Sequence, residues 1–168
     1  MATLALSAMP LLAPGRDHHV LADAITARVE AEAPLFKDDA DKRRTTAYLV
    51  AVAYREGSLF PDIVGDCTEG GKAVSVDGVW KCSGGRPRSF CTFQSHETSG
   101  GTKALLADVN ACVGKGFAML RTSMKICPEH PMAWYAAGGV SACTNARAQR
   151  LARDRLALAA WVLRTVPK

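Results

Sequence analysis

This chain has no apolar run of the length that crosses a bilayer. Its N-terminal apolar stretch, Thr3 to Ala13, is broken by Pro10 and followed by Pro14-Gly15, short of the roughly 20 residues a spanning helix needs. The same stretch lacks the positively charged start of a secretory signal. No Cys-x-x-Cys pair occurs, and the cysteine spacing matches no common zinc module. His18, His19, His96 and His130 are scattered, so no metal site is expected. Gly70-Gly71 and Gly84-Gly85 lack the Lys-Ser/Thr that completes a phosphate-binding loop. Aromatic residues are only 7% of the chain and do not interleave with basic ones in sequence, which argues against a nucleic-acid partner. No internal repeat or low-complexity segment is visible, and no cofactor is expected.

What is present suits one globular domain. A chain of 168 residues, 48% apolar and 22% charged, buries a core of its own. Its net charge of +5 and pI near 9.0 favour anionic partners, and charge alone suits nucleic acid and a bacterial wall, with its peptide carboxylates and phosphate polymers, equally. The densest basic set, Arg147, Arg150, Arg153 and Arg155, falls on a predicted C-terminal helix, where a solvated face is the simplest reading.

Six separated cysteines, at 67, 82, 91, 112, 127 and 143, suit three disulfides and an oxidising location. Six cysteines allow 15 connectivities, which sequence alone leaves open; the favoured set is three local pairs, Cys67–Cys82, Cys91–Cys112 and Cys127–Cys143, since each closes a short segment between predicted elements. Closing a 15-residue loop contributes about 3 kcal/mol in the chain-entropy view. Oxidised cysteines cannot act as nucleophiles, which sets aside a Cys–His hydrolase built on Cys91 and His96.

Periodicity predicts a mainly helical domain. A first helix runs from a cap at Asp17 to about Ala33, and a second from Asp38-Asp39 to Glu56, with Gly57 just beyond its end. Residues 57–103 are rich in Gly, Ser, Thr and Asp and read as loop with short strands. Val74 to Trp80 suits a hairpin turning at Asp77-Gly78. Helical pattern returns at Lys103–Val113, Gly116–Ile126, Met132–Ala137 and Cys143–Arg164. Residues 1–16 are expected to form an extended arm that docks on another subunit, and residues 17–168 the folded domain.

Three segments carry chemistry in a recognisable order. Tyr54-Arg55-Glu56-Gly57-Ser58 places a carboxylate where a helix ends, followed by Ser89-Phe90-Cys91-Thr92-Phe93-Gln94 and Ala133-Trp134-Tyr135-Ala136-Ala137-Gly138. Over roughly Thr45 to Arg155 the pattern resembles goose-type lysozymes and soluble lytic transglycosylases. Those families have a Glu-Ser helix end, a Gly-Leu-Met-Gln-like segment and a Tyr-Asn-Ala-Gly-like segment. The chain departs from them by inserting Gly57 before Ser58, by Cys91-Thr92-Phe93-Gln94, and by Ala136 in place of Asn.

The resemblance implies an α+β lysozyme-like fold, mainly α, with a small β insertion after the helix that carries the catalytic Glu. It implies cleavage of the β-1,4 bond of peptidoglycan glycan strands, with Glu56 as general acid and then base. Such an acid needs a raised pKa, which partial burial supplies. Asp66 is the candidate second carboxylate, with Asp62 in reserve. Ser58, Gln94 and Tyr135 are the candidate substrate-contacting or Glu-orienting residues. The expected setting is a phage tail or another extracellular or periplasmic site, with glycan strands and other virion subunits as partners. A tail subunit that keeps the fold without the activity is the alternative.

Overall fold

A computed structural model describes residues 3–167 of the chain, apart from the Val140 side chain. Among the described residues there are six α-helices, with a small β insertion after the third, and three disulfides staple the loops. Helix α1 spans Leu4–Leu12 and is capped by Thr3, whose Oγ1 accepts from the Leu6 amide at 3.3 Å. Ala5, Ala8 and Met9 are fully buried on one face of α1, which packs on α2 (His19–Ala31) and α3 (Arg43–Gly57). The expected extended arm is therefore corrected. Pro10 sits in the last turn of α1, where it removes a single hydrogen bond, and the small residues let the helix approach the core closely.

Helix α3 is the centre of the fold. Every residue from Thr45 to Ala53 is buried, as expected of a helix covered on all sides. It begins later than the Asp38-Asp39 signal predicts. Asp39 instead caps it from outside, accepting from the amides of Arg44 (2.9 Å) and Thr45 (2.6 Å). At the other end Gly57 is still helical, and Ser58 takes the left-handed conformation at φ 50°. Gly57 is needed for a different reason. A Cβ there would stand 2.5 Å from the Thr92 Cα, and Thr92 Oγ1 donates to the Ala53 carbonyl at 3.1 Å. The residue that separates Glu56 from Ser58 is thus the one that lets the 91–94 turn dock on the helix end.

The insertion holds two hairpins. Strands β1 (Val74–Val76) and β2 (Val79–Lys81) pair antiparallel, with Val76 opposite Val79. Asp77 (φ 52°) and Gly78 (φ 76°) supply the two positive-φ residues such a turn requires. Cys67–Cys82 ties this hairpin down, and Trp80 meets Phe60 edge-on at 5.6 Å. Strands β3 (Ser89–Phe90) and β4 (Ser95–His96) form the second hairpin. Its turn buries Cys91, Thr92 and Phe93 completely.

Beyond a short 3-10 turn at Lys103–Leu106, helix α4 spans Val109–Ile126 without a break. Gly114 and Gly116 mark close approaches there. Gly114 faces the Arg28 guanidinium, and a Cβ on Gly116 would overlap the Phe93 ring. Cys91–Cys112 ties the β3–β4 turn to α4, and Cys127–Cys143 ties the end of α4 to the segment before α6. All three expected pairs are present. Helix α5 spans Ala133–Ala137, and α6 spans Ala146–Thr165 with Asn145 as its cap. Helix α6 packs chiefly along α3.

Candidate active site

Glu56 occupies the last turn of α3, where the helix emerges from the core. It lines a cavity of about 350 Å³ together with Asp66, Ser89, Gln94, His96, Tyr135 and the end of α5. Four of the five predicted site residues, Glu56, Asp66, Gln94 and Tyr135, therefore share one cavity wall although they come from four separate segments. Ser58 does not line it; the residue is exposed and serves as the left-handed helix stop. Asp62, the reserve carboxylate, is also exposed and outside the lining.

Each converging residue is held by its local backbone. Gln94 sits at φ 48° closing the β3–β4 turn, and its Nε2 donates to the Cys91 carbonyl at 3.1 Å. Its Oε1 fills the space where a Cβ on Gly65 would be, so Gly65 has to be glycine for Gln94 to lie where it does. Asp66 is exposed at the rim and accepts from Ser89 Oγ at 3.4 Å. His96 Nδ1 lies 3.2 Å from the Thr98 amide nitrogen and 2.7 Å from Thr98 Oγ1, which fixes the ring at the cavity edge.

The surroundings of Glu56 differ from the expected ones. Arg155 of α6, only 8% exposed, donates from Nη2 to Glu56 Oε1 at 2.8 Å. Its Nη1 lies 3.3 Å from Asp154 Oδ2, and Asp154 also pairs with Arg55 at 3.0 Å. Glu56 Oε2 accepts no hydrogen bond among the described residues. The Tyr135 hydroxyl, expected to orient Glu56, donates instead to the Phe93 carbonyl, and the Tyr135 amide donates to Ser123 Oγ at 3.1 Å. Burial first, and then the negative charge of Glu56, push the Tyr135 phenol well above its ordinary range. Beneath this group the Tyr48 hydroxyl and Arg155 Nε are buried without a hydrogen-bond partner among the described residues. Burial pushes the Tyr48 phenol upward too, and the nearby Arg155 charge opposes it.

Arg155 is the residue that motif reasoning misses. A signal for it exists: position 155 continues the apolar stripe of Ala148, Ala152, Ala159 and Val162. A charged residue in such a stripe needs a buried partner of opposite charge. Chemically, the site combines a carboxylate at a helix end, a second carboxylate at the rim, and amide, imidazole and hydroxyl groups between them. Among the described residues no group of three His, Cys, Asp or Glu side chains is placed to hold a metal ion. No helix among them is long and apolar enough to cross a membrane. Comparison with models of known protein families, with curated proteins and with solved structures finds no match to this chain.

Proposed function

We propose that the chain cleaves the glycan strand of peptidoglycan, with Glu56 as the general acid and base. The observation that supports this reading is the convergence of Glu56, Asp66, Gln94 and Tyr135 on one cavity. In the proposed reaction the Glu56 carboxyl gives its proton to the glycosidic oxygen as the bond to C1 of N-acetylmuramic acid breaks. The carboxylate left behind then takes the proton of the attacking hydroxyl. Attack by the muramic 6-hydroxyl gives an anhydro product, and attack by water held near Asp66 gives the hydrolytic one. Oε1 is tethered by Arg155, which leaves Oε2 for the proton transfers. Gln94, fixed by Cys91 and Gly65, is suited to contacting a sugar amide or hydroxyl. The proposed setting is an oxidising exterior such as a phage tail, the three disulfides being its support. Purified walls should lose turbidity with the wild-type protein, and Glu56→Gln should lower that rate by about 10²–10⁴-fold.

One observation favours a second reading, a lysozyme-like subunit without activity. The Arg155 guanidinium already compensates the Glu56 charge, so the pair also serves as a structural tie between α3 and α6. Under that reading the walls keep their turbidity with either protein.

A further inference from the structure

Helix α6 turns two opposite faces to its surroundings. Ala148, Ala152, Arg155, Ala159 and Val162 are buried. At about 100° per residue, the positions diametrically opposite are Ala146, Arg150, Arg153, Ala157, Trp161 and Arg164, and all six are exposed. Arg147 stands beside them at the first turn, also exposed. Arg147, Arg150, Arg153 and Arg164 make no ion pair and no side-chain hydrogen bond among the described residues. The only acid on the helix, Asp154, is already engaged by Arg55 and Arg155. A row of uncompensated guanidinium groups along about 25 Å of helix is repelled by itself and attracted by any linear polyanion.

The row also leads to the candidate active site. Arg147 lines a depression of about 330 Å³ with Ala136, Ala137, Asn145, Ala148 and Leu151. Ala136 and Ala137 line the Glu56 cavity as well. A polymer seated in that cavity can therefore continue across α5 onto the arginine row.

We infer that this face of α6 binds a phosphodiester polymer without bases, a polyol phosphate chain attached to the wall. Guanidinium groups match phosphate oxygens through paired hydrogen bonds. The choice of a wall-borne source rests on the proposed wall-directed function; the polyanion chemistry does not. Single-stranded nucleic acid is the poorer fit, because its binding relies on successive aromatic platforms and this face has only Trp161. An anionic membrane is poorer still. The apolar residues on the face are Trp161 and the small Ala146 and Ala157, too little area for the buried apolar side of an interfacial helix.

The test measures binding of a fluorescent poly(glycerol phosphate) oligomer to the full chain at several salt concentrations. Four arginine contacts, at a slope of about −0.7 each, weaken binding by about 50-fold between roughly 50 and 200 mM salt. The triple variant Arg150→Gln/Arg153→Gln/Arg164→Gln, altered only at exposed positions, should keep its helical signal and retain only about a threefold salt effect. Lys37→Gln/Lys72→Gln/Lys81→Gln removes the same net charge from exposed sites elsewhere and should retain the wild-type slope. The inference is overturned if the arginine variant binds like wild type or if both variants lose binding equally. Tighter binding of an oligothymidylate or of anionic vesicles than of poly(glycerol phosphate) overturns it as well. Peptidoglycan stripped of its phosphate polymer separates this inference from the function. The arginine variant should still release fragments from it, whereas a wild-type protein that binds poly(glycerol phosphate) but releases none would sink the function alone.

Discussion

Replacing Arg155 by Met tests how the candidate acid is held. The Arg155 side chain is 9% exposed and that of Glu56 21%, so the substitution leaves a mostly buried carboxylate without its cation. Breaking a buried pair from one side costs about 3–5 kcal/mol, and the residual exposure of Glu56 places this case near about 3 kcal/mol. For a domain of this size that corresponds to a fall in Tm of about 6–12 °C. Glu56→Gln should cost less, about 1–2 kcal/mol, because the amide oxygen still accepts from Arg155 and only the charge assistance is lost. The double variant Glu56→Met/Arg155→Met removes both charges together with the unpartnered Arg155 Nε. It should be more stable than Arg155→Met alone, since an apolar pair often replaces an ion pair at little cost. Urea unfolding of wild type, Arg155→Met, Glu56→Met and the double variant at neutral pH closes the cycle. An Arg155→Met protein within about 0.5 kcal/mol of wild type, the range of ordinary surface changes, would refute the reasoning. So would a double variant whose loss equals the sum of the single ones.

Other perturbations probe the frame around the site. Gly65→Ala puts a methyl where Gln94 Oε1 lies, so the Gln94 side-chain amide resonance should shift and glycan cleavage should fall to the Gln94→Ala level; unchanged spectra would show that Gln94 is not held there. Met9→Ala, at a fully buried position of α1, should cost about 2–5 kcal/mol in urea unfolding, whereas a docking arm independent of the core predicts no loss. Glu97 is held below its ordinary 4.5 first by the Arg86 hydrogen bond and then by Arg88, with burial opposing. A depressed carboxylate stabilises above its ordinary value and loses that effect as pH falls through the folded value. The stability gap between wild type and Glu97→Gln should accordingly be widest above about 4.5 and close toward lower pH; a gap independent of pH would remove the ion pairs from the explanation.

Local signals in the sequence carry much of this fold. The Asp77-Gly78 turn and the three cysteine pairs depend on interactions within a few tens of residues and are found where those signals place them, while α3 runs one residue past the expected end, to Gly57. The boundaries that differ do so through tertiary contacts that no local pattern encodes. Asp39 delays the start of α3 by capping it from outside. Gly114 and Gly116, which resemble helix interruptions in sequence, are contact points for Arg28 and Phe93 inside a continuous α4. Pro14 and Gly15 lie beyond the end of α1 at Leu12, but the helix itself is not expected from the sequence, because its packing through Ala5, Ala8 and Met9 depends on the rest of the fold. At the candidate site, the place of Arg155 in the apolar stripe of α6 signals its burial, but not its partner, because Glu56 lies 99 positions away.

The central claim, that Glu56 drives glycan cleavage, is tested most directly by mass spectrometry of soluble products from purified peptidoglycan. Wild-type protein should release disaccharide-peptide fragments ending in either a reducing or an anhydro muramic residue. Glu56→Gln, with its fold verified by an unchanged circular dichroism spectrum, should release about 10²–10⁴-fold less. Release of the same fragments at the same rate by Glu56→Gln, or none from wild type beyond a protein-free control, would contradict the account.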